Sequence, residues 1–286
     1  MSCEKREESE KRLNTDSEWQ RIIRTSIGQL ESDLFLGGRW LPIGRVEIAQ
    51  TPGRPTVTTA PTGRKKMTST QKIGRETPQI SNEQIKIIEE KRQRLVEIAE
   101  KVAQCQLCQL HSQRRNSVSG EGNPDARLVF VGEAPGQNED EQGRPFIGRA
   151  GKLLTKIIEA MGLKREDVFI GNILKCRPPN NRDPQATEIT ECINFLYEQL
   201  EVIEPEIIVA LGAHAAHTLL NTNTPIGQLR GRIHEYLPNP FAKPIKFVAT
   251  YHPAYLLRNY SKDNRLRVWE DMQKVLAELG LGIPGK

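Results

Sequence analysis

No apolar run in this 286-residue chain approaches membrane-spanning length, and the opening MSCEKREESEKR is charged where a secretory leader would be apolar. A soluble, intracellular protein of the cytoplasm, without a membrane partner, is expected. The chain also has neither G-x-G-x-x-G nor a glycine-rich loop ending in Gly-Lys-Ser/Thr, which weakens dinucleotide and nucleoside-triphosphate readings. Cysteine is scarce, at five residues, and the paired C-x-x-C knuckles of a zinc ribbon are missing. Charge adds little: a net +5 and a pI near 8.9 admit a polyanionic partner without requiring one.

With 37% hydrophobic and 27% charged residues, the chain can hold one sizeable core plus an extension. Residues 1–80 read as that extension. A patch from Trp19 to Leu36 has apolar residues near helical spacing, and a basic stretch rich in Pro, Thr and Gly follows. The second part is expected to be a largely disordered, flexible linker. Residues 81–286 read as the folded domain.

That domain is organised around Arg127 to Leu154, RLVFVGEAPGQNEDEQGRPFIGRAGKLL. Leu128 to Val131 reads as a buried strand, and Leu153, Leu154, Ile157, Ile158 and Met161 recur at helical spacing before a stop at Gly162. The intervening loop is far longer than the roughly 2 to 6 residues of an ordinary strand-to-helix connection, so it is expected to bind something. Its glycines permit close backbone approach, and amides at the start of the next helix suit an anion.

Upstream, Ser81 with Gln84 forms a capping box before the stripe Ile85, Ile88, Leu95, Ile98 and Val102. That helix leads into Cys105-Gln106-Leu107-Cys108. With Cys176 and Cys192 these make four candidate ligands for tetrahedral zinc or an iron-sulfur cluster, and the wide second spacing favours the cluster. Cys192 also shares an apolar helix face with Ile189, Ile193, Leu196 and Leu200, as a merely buried cysteine would. Cys3 has no partner nearby.

Val168 to Leu174, Ile207 to Leu211 and Ile245 to Thr250 are further strand-like runs. Helices are expected from Asp183-Pro184, as N-cap and first helical residue, to about Ile203, then over Ala213 to Leu220 and Asn264 to Leu279. Alternating strands and helices imply an α/β fold whose parallel sheet is covered on both faces. Ligands then sit beyond the strand carboxyl ends, where Gly132 to Asp140, Asn172, His214 and Tyr251-His252-Pro253 fall. His252, at a strand tip before proline, is the working histidine. His214 and His217 read as packing or capping residues, and His111 and His234 have no distinctive context.

Together, GEAPGQNEDEQGRPFIGRAG, the four-cysteine spacing, GNILKCRPPNNRDP and YHPAYLLR resemble the family 4, iron-sulfur uracil-DNA glycosylases, over about Cys105 to Leu279. The resemblance implies a three-layer αβα sandwich with a central four-stranded parallel sheet. It also implies a [4Fe-4S] cluster held by Cys105, Cys108, Cys176 and Cys192. The implied activity is hydrolysis of the N-glycosidic bond of uracil in single- or double-stranded DNA by a monomeric enzyme, leaving an abasic site for base excision repair. Phe146 would stack on the everted base, Asn172 would read its edge, and His252 would donate to uracil O2. Loop residues Glu133, Ala134 and Gly136 would line the substrate. Better-known glycosylases place Asp where this chain has Ala134, which leaves Glu139, or Asp140, to orient the attacking water. Leu256, Leu257 and Arg258 resemble a DNA-inserting loop, although the two leucines would equally suit the core.

Two readings from other classes stand beside this one. One is a noncatalytic nucleic-acid-binding module with structural zinc, and the other a flavodoxin-like iron-sulfur electron carrier. A third, a covalent crosslinker of uracil sites, needs a basic His-bearing insertion between Cys176 and Cys192 that this chain lacks.

Overall fold

The computed structural model describes residues 81–238 and 243–284. The extension over residues 1–80, with its expected helix, basic linker and Cys3, lies outside the described residues.

Chain order follows hydrophobic period. Helix α1 (Asn82–Gln104) opens with the Ser81–Gln84 capping box and docks through Ile98 and Val102. A two-residue strand β1 (Glu121–Gly122) precedes β2 (Leu128–Gly132), in which every residue is buried. Next come α2 (Gln137–Gln142), α3 (Arg149–Ala160) and β3 (Phe169–Asn172). The chain continues through α4 (Ala186–Ile203), β4 (Ile207–Leu211), α5 (Ala213–Leu220) and α6 (Ile226–Leu229). It closes with β5 (Ile233–Tyr236), β6 (Ile245–Thr250), α7 (Pro253–Arg258) and α8 (Lys262–Glu278).

The sheet has six strands in the order β1-β3-β2-β4-β6-β5, two more than the four expected at its centre. Strands β3, β2, β4 and β6 pair in parallel, and β1 and β5 flank them in antiparallel orientation. The two edge strands have no buried apolar run to announce them: β1 is Glu-Gly, and Ile233 and Glu235 of β5 are exposed.

Alternate residues of the central strands feed opposite layers, as a parallel sheet covered twice requires. Phe130, Ile170, Val209 and Val248 pack with Ile157 and Ile158 of α3 and Trp269 and Met272 of α8. Val129, Val131, Ile208 and Ala210 pack with Leu196 and Leu200 of α4 and Ala215 of α5. Trp269 is 1% exposed, so its truncation to alanine costs about 3–5 kcal/mol by loss of buried area and cavity formation. A smaller cluster joins α1 to α4 around Cys176 and Cys192.

Helix α4 starts at Ala186 rather than at Pro184, because Gln185 is the N-cap, its backbone amide donating to Glu188 Oε2 at 2.8 Å. No helix among the described residues is long and apolar enough to cross a membrane.

Strand order reverses between β2 and β4, so connections leave in opposite directions there and open a crevice beyond Gly132 and Leu211. The candidate site occupies that crevice.

Candidate active site

A cleft of ≈ 670 Å³ lies at the carboxyl ends of the parallel strands. Glu133, Ala134, Gly136 and Glu139 line it from the segment after β2, as do Phe146, Asn172 and His252. The structure thus gathers around one cavity all seven residues expected to bind substrate or act in catalysis.

Phe146 is 6% exposed and takes φ 49°, in the left-handed region, which is uncommon for a bulky residue. Its ring centroid is 5.7 Å from that of His252, with the planes tilted by 36°. Two glycines make this placement possible. A Cβ on Gly151 would come within 1.9 Å of the Phe146 carbonyl, so α3 docks against bare backbone. A Cβ on Gly132 would lie 2.4 Å from Asn172 Oδ1 and 2.5 Å from Phe146 Cζ.

Asn172 ends β3 opposite Gly132. It is 1% exposed, and its Oδ1 has no hydrogen-bond partner among the described residues. A buried amide oxygen left unpaired costs about 1–3 kcal/mol, so this acceptor is one that a ligand would satisfy.

His252 is the N-cap of α7, and its Nδ1 accepts from the Ala254 amide at 3.0 Å. This contact leaves the ring proton on Nε2. The ring opens onto the cleft but is otherwise surrounded by protein. That desolvation, with Arg258 adding to it, lowers the pKa from the usual 6.5 to about 4, so the neutral imidazole presents an N–H donor.

The Glu139 carboxylate does not hang free in the loop. Its Oε1 accepts from Ile147 N at 2.9 Å and Gly148 N at 2.8 Å, where Gly148 is the N-cap of α3. The anion expected at that helix start is therefore the chain's own side chain. The loop is also partly helical, since α2 lies within it. Asp140 is buried and accepts from Arg115 N at 2.9 Å.

His214 stands at the rim rather than in a packed or capping position, with 46% of its side chain exposed. Its Nε2 lies 3.6 Å from Asp183 Oδ1 and 3.9 Å from Glu133 Oε2. Burial raises the Glu133 pKa; His214 lowers it and Asp183 raises it to lesser degrees. The other histidines serve backbone: His217 Nε2 meets Thr224 O, His234 Nε2 meets Leu229 O and His111 Nδ1 meets Cys108 O, each at 2.7 Å.

The expected inserting loop forms α7. Leu256 is 3% exposed and belongs to the core beside α3 and α8, and Leu257 packs partly against the same cluster. Leu256 is therefore corrected to a packing residue, because the helical turn points it inward. Arg258 is exposed at the cleft margin.

Cys105, Cys108, Cys176 and Cys192 line a second, smaller cavity, away from the cleft. They come from the end of α1, the following turn, the segment after β3, and α4. Burial raises the Cys108, Cys176 and Cys192 pKa values, the last to about 11. Two donors oppose that effect: Arg114 Nη1 to Cys176 Sγ and the Lys175 amide to Cys192 Sγ, both at 3.2 Å. Sequence reasoning missed both, because neither residue carries a local motif.

The family model described as the uracil DNA glycosylase superfamily matches residues 119–273. The chain is 48% identical over 185 residues to the type-4 uracil-DNA glycosylase of Thermotoga maritima, covering 64% of this chain and 94% of that protein. With the type-4 uracil-DNA glycosylase of Archaeoglobus fulgidus it shares 44% identity over 185 residues, 63% of this chain and 91% of the relative. A type-5 uracil-DNA glycosylase of Pyrobaculum aerophilum is 31% identical over 175 residues, 56% of this chain and 75% of its own length.

Proposed function

The chain belongs to the uracil DNA glycosylase superfamily, and from that premise we infer that it is a uracil-DNA glycosylase, hydrolysing the N-glycosidic bond of uracil in DNA for repair. The observation that carries the reading is that Asn172, whose buried Oδ1 is unpaired among the described residues, lines a cleft shared with Phe146 and His252. That oxygen would accept from uracil N3–H while the amide nitrogen donates to O4. Cytosine offers the opposite pattern and leaves both groups unpaired.

Everting the base costs a few kcal/mol, and stacking on Phe146 offsets about 1–3 kcal/mol of it. As the bond breaks, negative charge grows on uracil. The Nε2–H of neutral His252 meets that charge at O2, a donation worth about 3 kcal/mol in a preorganised site. Because Oε1 of Glu139 is committed to two loop amides, its second oxygen is the acceptor left to orient water. Arg258 would contact a phosphate at the rim. The enzyme works as a monomer, in the cellular compartment that holds its DNA.

The four cysteines would hold a [4Fe-4S] cluster. When bound, the cluster supplies a cross-link among α1, the end of β3 and α4; the cysteines and their two donors do the holding.

Single-turnover incubation with a uracil-containing oligonucleotide, followed by alkaline cleavage at abasic sites, tests the activity. Cleavage confined to the uracil position is expected. Intact strands after incubation with the iron-loaded protein would reject it.

A further inference from the structure

Asn172 is held by the sheet on one side only. The amides of Ile173 and Leu174 donate to Gly132 O at 2.9 Å and Glu133 O at 3.0 Å. On the opposite side β1 ends across from Ile170, so the Asn172 carbonyl lies past the paired edge. The group that meets it there is Lys175 Nζ, at 3.0 Å.

Lys175 is 1% exposed. Its backbone amide donates to Cys192 Sγ at 3.2 Å, its carbonyl accepts from Val118 N at 2.8 Å, and its ammonium also donates to Gln199 Oε1 at 2.7 Å. Gln199 is in turn fixed by donating to Ser119 O at 2.9 Å and Ser119 Oγ at 3.1 Å. Burying an ammonium is costly, and a methionine of similar length would fill the same space without that cost. Packing alone does not explain a lysine here. What a methionine could not do is grip the Asn172 carbonyl.

We propose that Lys175 is a positioning residue: it ties the backbone of the base-reading Asn172 to α4 and to the four-cysteine site, so that the amide is aimed before the base arrives. The proposal rests on the reading of Asn172 given above and adds the device that aims it. Outer contacts of this kind typically alter function about 10- to 100-fold when removed.

The test is a double-mutant cycle of Lys175→Met and Asn172→Ala in the iron-loaded full chain. It reads the single-turnover rate on uracil DNA, affinity for an abasic-site oligonucleotide that offers no base to read, and iron per chain. Lys175→Met is expected to slow excision about tenfold or more, with abasic-site affinity within about twofold and iron content unchanged. In the Asn172→Ala background the same change should cost less than about twofold, because the group it aims is gone. An equal cost in both backgrounds, or no cost in either, overturns the relay and spares the reading of Asn172. If Asn172→Ala itself excises uracil normally, that reading fails and the relay with it. Should Lys175→Met not fold, Gln199→Met loosens the ammonium instead. A threefold to tenfold fall that vanishes with Asn172→Ala is then expected, and a fall that persists there overturns the proposal.

Discussion

The cleft and the four-cysteine cavity are built on either side of one short segment, Asn172 to Cys176, yet they treat buried polar atoms in opposite ways. In the cleft, Asn172 Oδ1 is left without a partner and His252 keeps its ring neutral. In the cavity, Arg114 and the Lys175 amide already donate to two of the sulfurs. A site for a transient ligand keeps its hydrogen bonds unmade until the ligand comes. A site for a resident group surrounds its ligands in advance. The first arrangement spends stability for function, whereas the second would gather stability from a group bound there.

If that contrast is right, damage to the two sites should look different. The largest effect is expected for His252→Ala: single-turnover excision should fall about 10²- to 10³-fold, while the melting temperature and abasic-site affinity stay nearly constant. A parallel loss of binding would blur the distinction. Cys192→Ala should do the reverse, releasing iron and lowering the melting temperature by about 10 °C or more, at roughly 2–4 °C per kcal/mol for a domain of this size. Iron analysis with thermal melting reads this, and a colourless variant as stable as the parent would sink the resident-group account.

Asn172→Asp should cut discrimination between uracil and cytosine by about tenfold or more, since the carboxylate no longer donates to O4. Competition between the two bases in one oligonucleotide measures it. Glu139→Gln separates two duties of one side chain. The amide oxygen can still accept from Ile147 N and Gly148 N, so melting should shift by no more than about 2 °C while excision slows about tenfold. An unchanged rate would leave Glu139 as a brace only.

The last contrast is a pH dependence. With a folded pKa near 4 against about 6.5 unfolded, His252 takes up a proton on unfolding but not on folding. Stability should therefore fall as pH drops from about 6.5 toward 4, and His252→Gln should lose that part of the slope in denaturant titrations. Excision should stay flat above about pH 5 as far as this residue decides it. A slope identical in the parent and the variant would mean that folding leaves the titration of the imidazole unshifted.

How much of this was legible in the sequence depended on whether the cause was local. The apolar runs at Leu128 and Ile207 are strands because both faces are buried, and such runs read as continuous hydrophobicity. Strand β5 was illegible because its register comes from pairing with β6, while its own residues alternate with little apolar content. Helix α2 hid in QNEDEQ, polar on every side, and α4 began late because glutamine is an unusual N-cap. At the site, Asn172 and His252 were visible as polar residues at strand tips. The commitment of Glu139 to the start of α3, the rim position of His214, the burial of Leu256 and the grip of Lys175 all depend on partners distant in the chain or on a helical turn no motif marks.

Gly132 bears a consequence for how this surface tolerates change. Its neighbours Val129 and Val131 are wholly buried and would accept another aliphatic residue of similar volume at modest cost. At Gly132 even a methyl group would displace both the amide and the aromatic ring that line the cleft. In a library selected only for folding, alanine could survive there through local adjustment; in one selected for uracil removal, the position should admit glycine alone.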